Sequence, residues 1–226
     1  MILYAHYLLK DYFFIGKGFF MDKNAFYKLS YGLYIISSIS GDKTGGLVVN
    51  TLNQVTAQPV RMSVTLSKES YTTTLIQESK IFAATVLTED VDMNLVSTFG
   101  FATSKNKDKF SNFNTAIDIQ QVPYVLEYAA ALFSCRVVDS IDLGTHVMFI
   151  ADVVDAKVLN QDPVITYSYY RNTKKGFTPK NAPSYQAPTK DEFVEKSSGY
   201  RCTICGYVYK EDSLPDNYIC PICGQG

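Results

Sequence analysis

Two Cys-x-x-Cys hooks near the C-terminus, Cys202/Cys205 and Cys220/Cys223, constrain this chain more than any other feature. Four thiolates presented in two short hooks make a nearly complete tetrahedral metal site. Two intervening residues let both sulfurs of a hook face one ion. The glycine that follows each hook, Gly206 or Gly224, lets the backbone fold back beneath the sulfurs. Backbone N–H groups there hydrogen-bond the thiolates and tune a bound metal. The alternative, two disulfides, fits poorly with paired spacing in a chain that shows no secretory signal. Spacing alone admits zinc as well as iron.

With 226 residues the chain can bury one substantial core and carry a small module besides. Its 21 basic and 22 acidic side chains nearly cancel, which leaves no electrostatic footprint for nucleic acid or an acidic membrane surface. No apolar run approaches the roughly 20 residues that span a bilayer. Free thiolates holding metal suit a cytoplasmic setting. Residues 1–20 are apolar and aromatic, interrupted by Lys10, Asp11 and Lys17, whereas Met21-Asp22-Lys23 reads as an ordinary start. The stretch 1–20 is therefore expected to be an appendage, with an amphipathic surface anchor as the alternative.

From Met21 the pattern is mostly strands. Tyr31 to Ile39 is β-branched and aromatic, Gly41 to Gly46 is a glycine-rich turn cluster, and Leu47 to Val55 reads as the returning strand of a hairpin. Further strands are expected at Val60 to Leu66, Ile81 to Leu87, Ala129 to Val138 and His146 to Val158. Helical character marks Ser70 to Ser79 and Val91 to Phe99, and the polar stretch Thr103 to Asn114 reads as a loop. Strands with short helices at their margins predict a mainly β fold, a closed or half-closed barrel. The expected division is a barrel over 21–185, a Pro/Lys/Ser linker over 186–199 and the metal module over 200–226. Cys135, in an alternating strand, is expected to be a buried, inert thiol.

Two resemblances sharpen this reading. Cys202-Thr203-Ile204-Cys205-Gly206-Tyr207-Val208-Tyr209, followed by Leu214-Pro215-Asp216-Asn217-Tyr218-Ile219-Cys220-Pro221-Ile222-Cys223-Gly224, resembles rubredoxin. Rubredoxins hold one iron in four thiolates and carry single electrons. Only fourteen residues separate Cys205 from Cys220, about half the usual rubredoxin interval, so the resemblance is to the compact module type and zinc stays open. The region 22–185 is similar to the flavin-reductase-like family of FMN-binding split barrels, in the form fused to a rubredoxin. The similarity lies in Tyr31-Gly32-Leu33-Tyr34, Val49 through Thr56, Ser67-Lys68, Tyr71-Thr72, Phe99-Gly100-Phe101, Asp108-Lys109-Phe110, Gly144-Thr145-His146 and Lys175 through Tyr185.

If FMN is bound as the resemblance implies, Ser67, Thr72, Ser104 and Lys109 suit its phosphate, since hydroxyls and a cation make strong bonds to such an anion. Asn50, Thr51, Gln54 and Thr56 suit the polar edge of the flavin ring. His146 stands where the family keeps a histidine beside flavin or nicotinamide, as a hydrogen-bond partner or proton donor. The resemblance further implies a homodimer and electron flow from NADH or NADPH through FMN to iron at Cys202, Cys205, Cys220 and Cys223. A flavodiiron protein or a rubrerythrin is the implied acceptor. Two other functions stay open at this point: a flavin-holding barrel with a structural zinc ribbon acting as a docking or sensor module, and a ferric or free-flavin reductase.

Overall fold

The computed structural model describes residues 12–15, 19–105, 108–176, 178–179, 181–185, 199–202, 208–209, 211 and 213–220. β1 (Tyr12–Ile15) and β2 (Phe19–Asp22) form an antiparallel ladder in which Phe13 pairs with Met21, so the N-terminal stretch contributes a two-stranded element. A short 3₁₀ helix at Lys23–Lys28 follows.

The chain then builds β3 (Tyr34–Ser40), β4 (Lys43–Val49), β5 (Leu52–Ala57), β6 (Val60–Ser67), α1 (Tyr71–Ser79) and β7 (Ile81–Leu87). It continues with α2 (Met93–Phe101), β8 (Thr115–Ile117), β9 (Pro123–Val125), β10 (Ala129–Asp142), β11 (His146–Val158) and α3 (Tyr167–Asn172). β12 (Tyr200–Arg201) and β13 (Val208–Tyr209) pair in the C-terminal module.

Seven strands make one antiparallel sheet in the order β4-β3-β7-β10-β11-β6-β5. The first and last strands of that order are neighbours in the chain, joined only by Asn50 and Thr51. A sheet whose two edges lie two residues apart must curl back on itself, and the result is a half-closed barrel split between β4 and β6. Thr51 spans the break by donating its hydroxyl to the Thr65 carbonyl at 2.7 Å.

Alternation along the strands sorts the core into layers. Ile36 faces the barrel interior with Val64, Phe82, Cys135 and Phe149. Its neighbour Ile35 faces the opposite side, where it clusters with Leu87 and with Leu95, Val96 and Phe99 of α2. Each such fully buried Leu, Ile or Phe contributes about 1.5–3 kcal/mol. α2 begins where Asp92 accepts a hydrogen bond from the Asn94 N–H at 2.9 Å, and α1 ends at Lys80 in the left-handed conformation.

The expected hairpin differs in detail. The turn is confined to Gly41-Asp42, with Gly41 at φ +61°, while Thr44, Gly45 and Gly46 already belong to β4. The expected single strand from Leu47 to Val55 is two strands, because β4 pairs with β3 and β5 with β6. α3 falls within a Tyr-rich segment and is capped by Thr166, which accepts from the Tyr169 N–H. Of the described helices, none is long and apolar enough to cross a membrane.

Candidate active site

A cavity of about 730 Å³ opens at the split, within the range of small-molecule sites. β4 supplies one wall from Gly46 to Asn50, and the end of β6 supplies Thr65, Leu66 and Ser67. Ser70, Tyr71 and Thr72 bring the N-terminal turn of α1 to the rim. Phe99 to Ser104, with Lys109, close the side formed by the end of α2 and its following loop. The helices approach this closely because β4 carries glycines. A Cβ on Gly46 would lie 2.8 Å from the Phe99 ring and 3.1 Å from Phe110, and one on Gly45 would lie 2.9 Å from Leu75.

The polar lining is concentrated on one side. Lys109 is only 3% exposed, and its Nζ donates to the Gly46 carbonyl at 2.8 Å and the Phe99 carbonyl at 3.2 Å. Ser104 accepts from the Gly46 N–H at 3.1 Å. Thr72 and Ser67 are buried against the same space, and Ser67 Oγ accepts from the Glu69 N–H at 3.3 Å. A buried cation, three hydroxyls and the first turn of a nine-residue helix are the donor set a phosphate needs. The apolar side, Leu47, Val48, Leu66 and Phe101, suits an aromatic ring system. The residues present therefore fit a flavin nucleotide.

A C-terminal strap covers part of the opening. Thr178, Pro179, Asn181, Ala182, Pro183 and Tyr185 line the cavity. The strap is pinned at three points. Asn50 Nδ2 donates to Ser184 Oγ at 2.9 Å, His146 Nε2 lies 3.1 Å from the Asn181 carbonyl, and the Tyr167 hydroxyl bonds Thr178. Because a carbonyl can only accept, His146 donates from Nε2, and its Nδ1 faces the Thr145 hydroxyl at 2.8 Å. His146 pairs across the ladder with Ser67, one strand away from the cavity wall.

Of the residues expected from sequence, Asn50, Ser67, Thr72, Ser104 and Lys109 meet around this one cavity. Thr51 sits at the break, bonded to Thr65. Gln54 and Thr56 stand on the exposed edge β5, where Gln54 bonds the Thr56 carbonyl and Thr56 bonds the Pro59 carbonyl. His146 reaches the site through the strap. The lining residues Asn181, Ala182, Pro183, Tyr185 and Tyr71 lie within stretches that carry the family resemblance, but none is among the residues expected from sequence to form the site. Of the basic residues after Tyr170, Arg171 stacks 3.8 Å from the Tyr27 ring centroid, and Lys174 donates to the Val91 carbonyl.

In the module, Cys202 and Cys220 come from different hooks and pack together in one cluster with Tyr218 and Phe101. Bringing one sulfur from each hook together is what a single four-thiolate ion requires, so the donor set fits one metal. Cys205 and Cys223 lie outside the described residues. Cys135 is fully buried, and desolvation, reinforced by Asp118, pushes its thiol up to about 12, which leaves it unreactive at neutral pH.

The description "flavin reductase like domain" matches residues 26–178, and "rubrerythrin, rubredoxin-like domain" matches residues 200–226. The chain belongs to the flavin reductase-like family. This flavin reductase-like chain is 36% identical over 222 residues to the high molecular weight rubredoxin of Moorella thermoacetica, a match covering 91% of this chain and 97% of the relative. It is 40% identical over 165 residues to a ferric-chelate reductase (NAD(P)H) of Archaeoglobus fulgidus, covering 73% of this chain and 98% of that protein. The structure of flavin reductase PheA2 in its native state superposes with a TM-score of 0.55 at 26% identity, over 65% of this chain and 91% of that one. A flavin reductase-like barrel with a rubredoxin-like module is an electron-transfer oxidoreductase, the barrel implying flavin and the module iron.

Proposed function

We propose that the protein carries electrons from NADH or NADPH through FMN in the barrel to one iron held by Cys202, Cys205, Cys220 and Cys223. The working units are a barrel over 21–185, a linker over 186–199 and a module over 200–226. The observation that carries this reading is a single cavity whose wall includes both the lysine-and-hydroxyl cluster and Cys202. FMN, when bound, would accept a hydride and release electrons singly, which matches a two-electron donor to a one-electron metal. Lys109, Ser67, Thr72 and Ser104 bind the phosphate, and Asn50 and Thr51 orient the ring edge from the break. His146 holds the strap over the cavity through Asn181.

The protein is proposed to act as a cytoplasmic homodimer. β5 is exposed along nearly its whole length, with Val55 on it and Val60 at the start of β6 each almost half exposed, and a second subunit would cover that edge. Gln54 and Thr56 then stand at the subunit interface, and their part in flavin binding depends on the partner. The acceptor is proposed to be a protein that takes single electrons, such as a flavodiiron protein or a rubrerythrin.

Stopped-flow mixing with NADH and with NADPH, followed at flavin and at iron–thiolate wavelengths, tests the order of transfer. Flavin bleaching must precede iron bleaching. A C202S/C220S variant should keep flavin reduction and lose delivery to a protein acceptor. Zinc in place of iron after iron-replete expression would refute the electron-transfer reading. The ferric-chelate reductase relative, which matches the barrel region nearly end to end, favours a second outlet. If the same variant retains full ferric-chelate reduction, the barrel performs that reaction without its module.

A further inference from the structure

Among the described residues, one barrel side chain packs in the module's apolar cluster. Phe101 closes α2, lines the cavity, and packs against Cys220, Cys202 and Tyr218. The two described thiols of the module are not equivalent there. Cys220 is 1% exposed within the cluster, whereas Cys202 is half-buried and forms part of the cavity wall. Within the module, Tyr218 stacks on Tyr209 with ring centroids 4.7 Å apart, so the surface that meets Phe101 is held by an aromatic pair.

We infer that Phe101 is the seat on which each chain's own module docks, and that Cys202 is the ligand sulfur facing the cavity. Electrons then cross from flavin to metal within one chain. The inference rests on the electron-transfer reading above and adds the route, the subunit and the positioning residue. Each fully reduced flavin would return to its oxidised form by giving its two electrons one at a time to the chain's single iron. The iron goes from ferric to ferrous twice, with the protein acceptor reoxidising it in between, and two protons are released to solvent. No bond to Cys202 forms or breaks. Covalent linkage makes even a limited contact sufficient, because a tethered partner is present at an effective concentration of order millimolar. A limited contact also lets the module leave its seat to present the metal to an acceptor.

The test uses the full-length protein with p-benzoyl-phenylalanine in place of Phe101, an analogue that keeps the phenyl ring. Irradiation should link position 101 to residues 202, 218 or 220, in a product that runs at single-chain mass. The reciprocal analogue at Tyr218 should link to α2. Absence of both links overturns the seat. Links found only in a product of doubled mass overturn the intra-chain route. Because cross-linking needs no turnover, it separates failure of this docking from failure of the electron-transfer reading. A second measurement uses mixed dimers of a C202S/C220S chain with a K109E chain. They should recover no electron delivery, and recovery would show that the module serves the partner's cavity. For the native protein, the flavin-to-metal rate constant should change by less than about twofold on hundredfold dilution, as tethered transfer requires.

Discussion

β4 and β5 are consecutive strands separated by two residues, yet their surroundings are opposite. β4 is buried where Gly45 and Gly46 let α1 and α2 press onto it, and its inner rim lines the cavity. β5 is exposed from Asn53 to Ala57 and forms the free edge of the sheet. Their sequences differ in kind: β4 reads KTGGLVV, with two glycines at its centre, and β5 reads LNQVTA. The difference shows that the chain covers one edge of its barrel with its own helices and leaves the other exposed. Glycine makes the first edge by subtraction of side chains, and exposed valine marks the second.

The comparison breaks most sharply at Gly46. A G46V substitution places atoms inside the Phe99 and Phe110 rings' space, and overpacking of this kind costs about 3 kcal/mol. Chemical denaturation should show that loss, with flavin binding reduced in parallel; wild-type stability would mean that α2 retreats freely. The next largest effect is expected for K109M. Loss of a buried cation among hydroxyls should weaken FMN binding about 10- to 100-fold, the worth of charge-assisted hydrogen bonds. Fluorescence titration of the apoprotein reads it directly, and unchanged affinity would remove Lys109 from the phosphate site.

On the other edge, V55K puts a charge on the exposed strand. It should weaken the proposed dimer about tenfold by analytical ultracentrifugation while leaving monomer stability within about 0.5 kcal/mol. An unaltered dimer would place the interface elsewhere. The smallest effect belongs to the rim beyond Ser67, where Lys68 reaches Asp142 at 2.6 Å and the Gly144 N–H also donates to that carboxylate. The Lys68 hydrogen bond, then the Gly144 N–H, holds the Asp142 carboxyl below its ordinary range. A lowered folded value means the stabilisation is present above the ordinary carboxylate range and is lost as pH falls through the lowered one. D142N should therefore cost a slight stability at neutral pH and none at acid pH, which flattens the acid-side loss; the effect is small because the pair is exposed and water screens it.

Much of the barrel was legible because long alternating runs admit one reading. Ala129 to Val138 and His146 to Val158 became β10 and β11, with β10 continuing to Asp142. The break at Asn50-Thr51 was not legible, because the apolar pattern resumes at Leu52 without a glycine or proline to punctuate it. β8 and β9 were missed for lack of length, at three residues each. The cavity's polar residues come from β4, β6, α1 and the loop after α2, so no local pattern groups them; only the family resemblance did. The four cysteines announced a metal module at once. That Cys202 belongs to the cavity wall depends on where the module docks, which spacing within the module cannot encode.

The strap from Thr178 to Tyr185 has a consequence for timing. Where the strap covers the cavity, the hold of Asn50, His146 and Tyr167 on Ser184, Asn181 and Thr178 slows the exit of whatever lies behind it. A flavin held there would be a resident of the protein rather than a visitor, staying through many rounds of reduction while nicotinamides come and go.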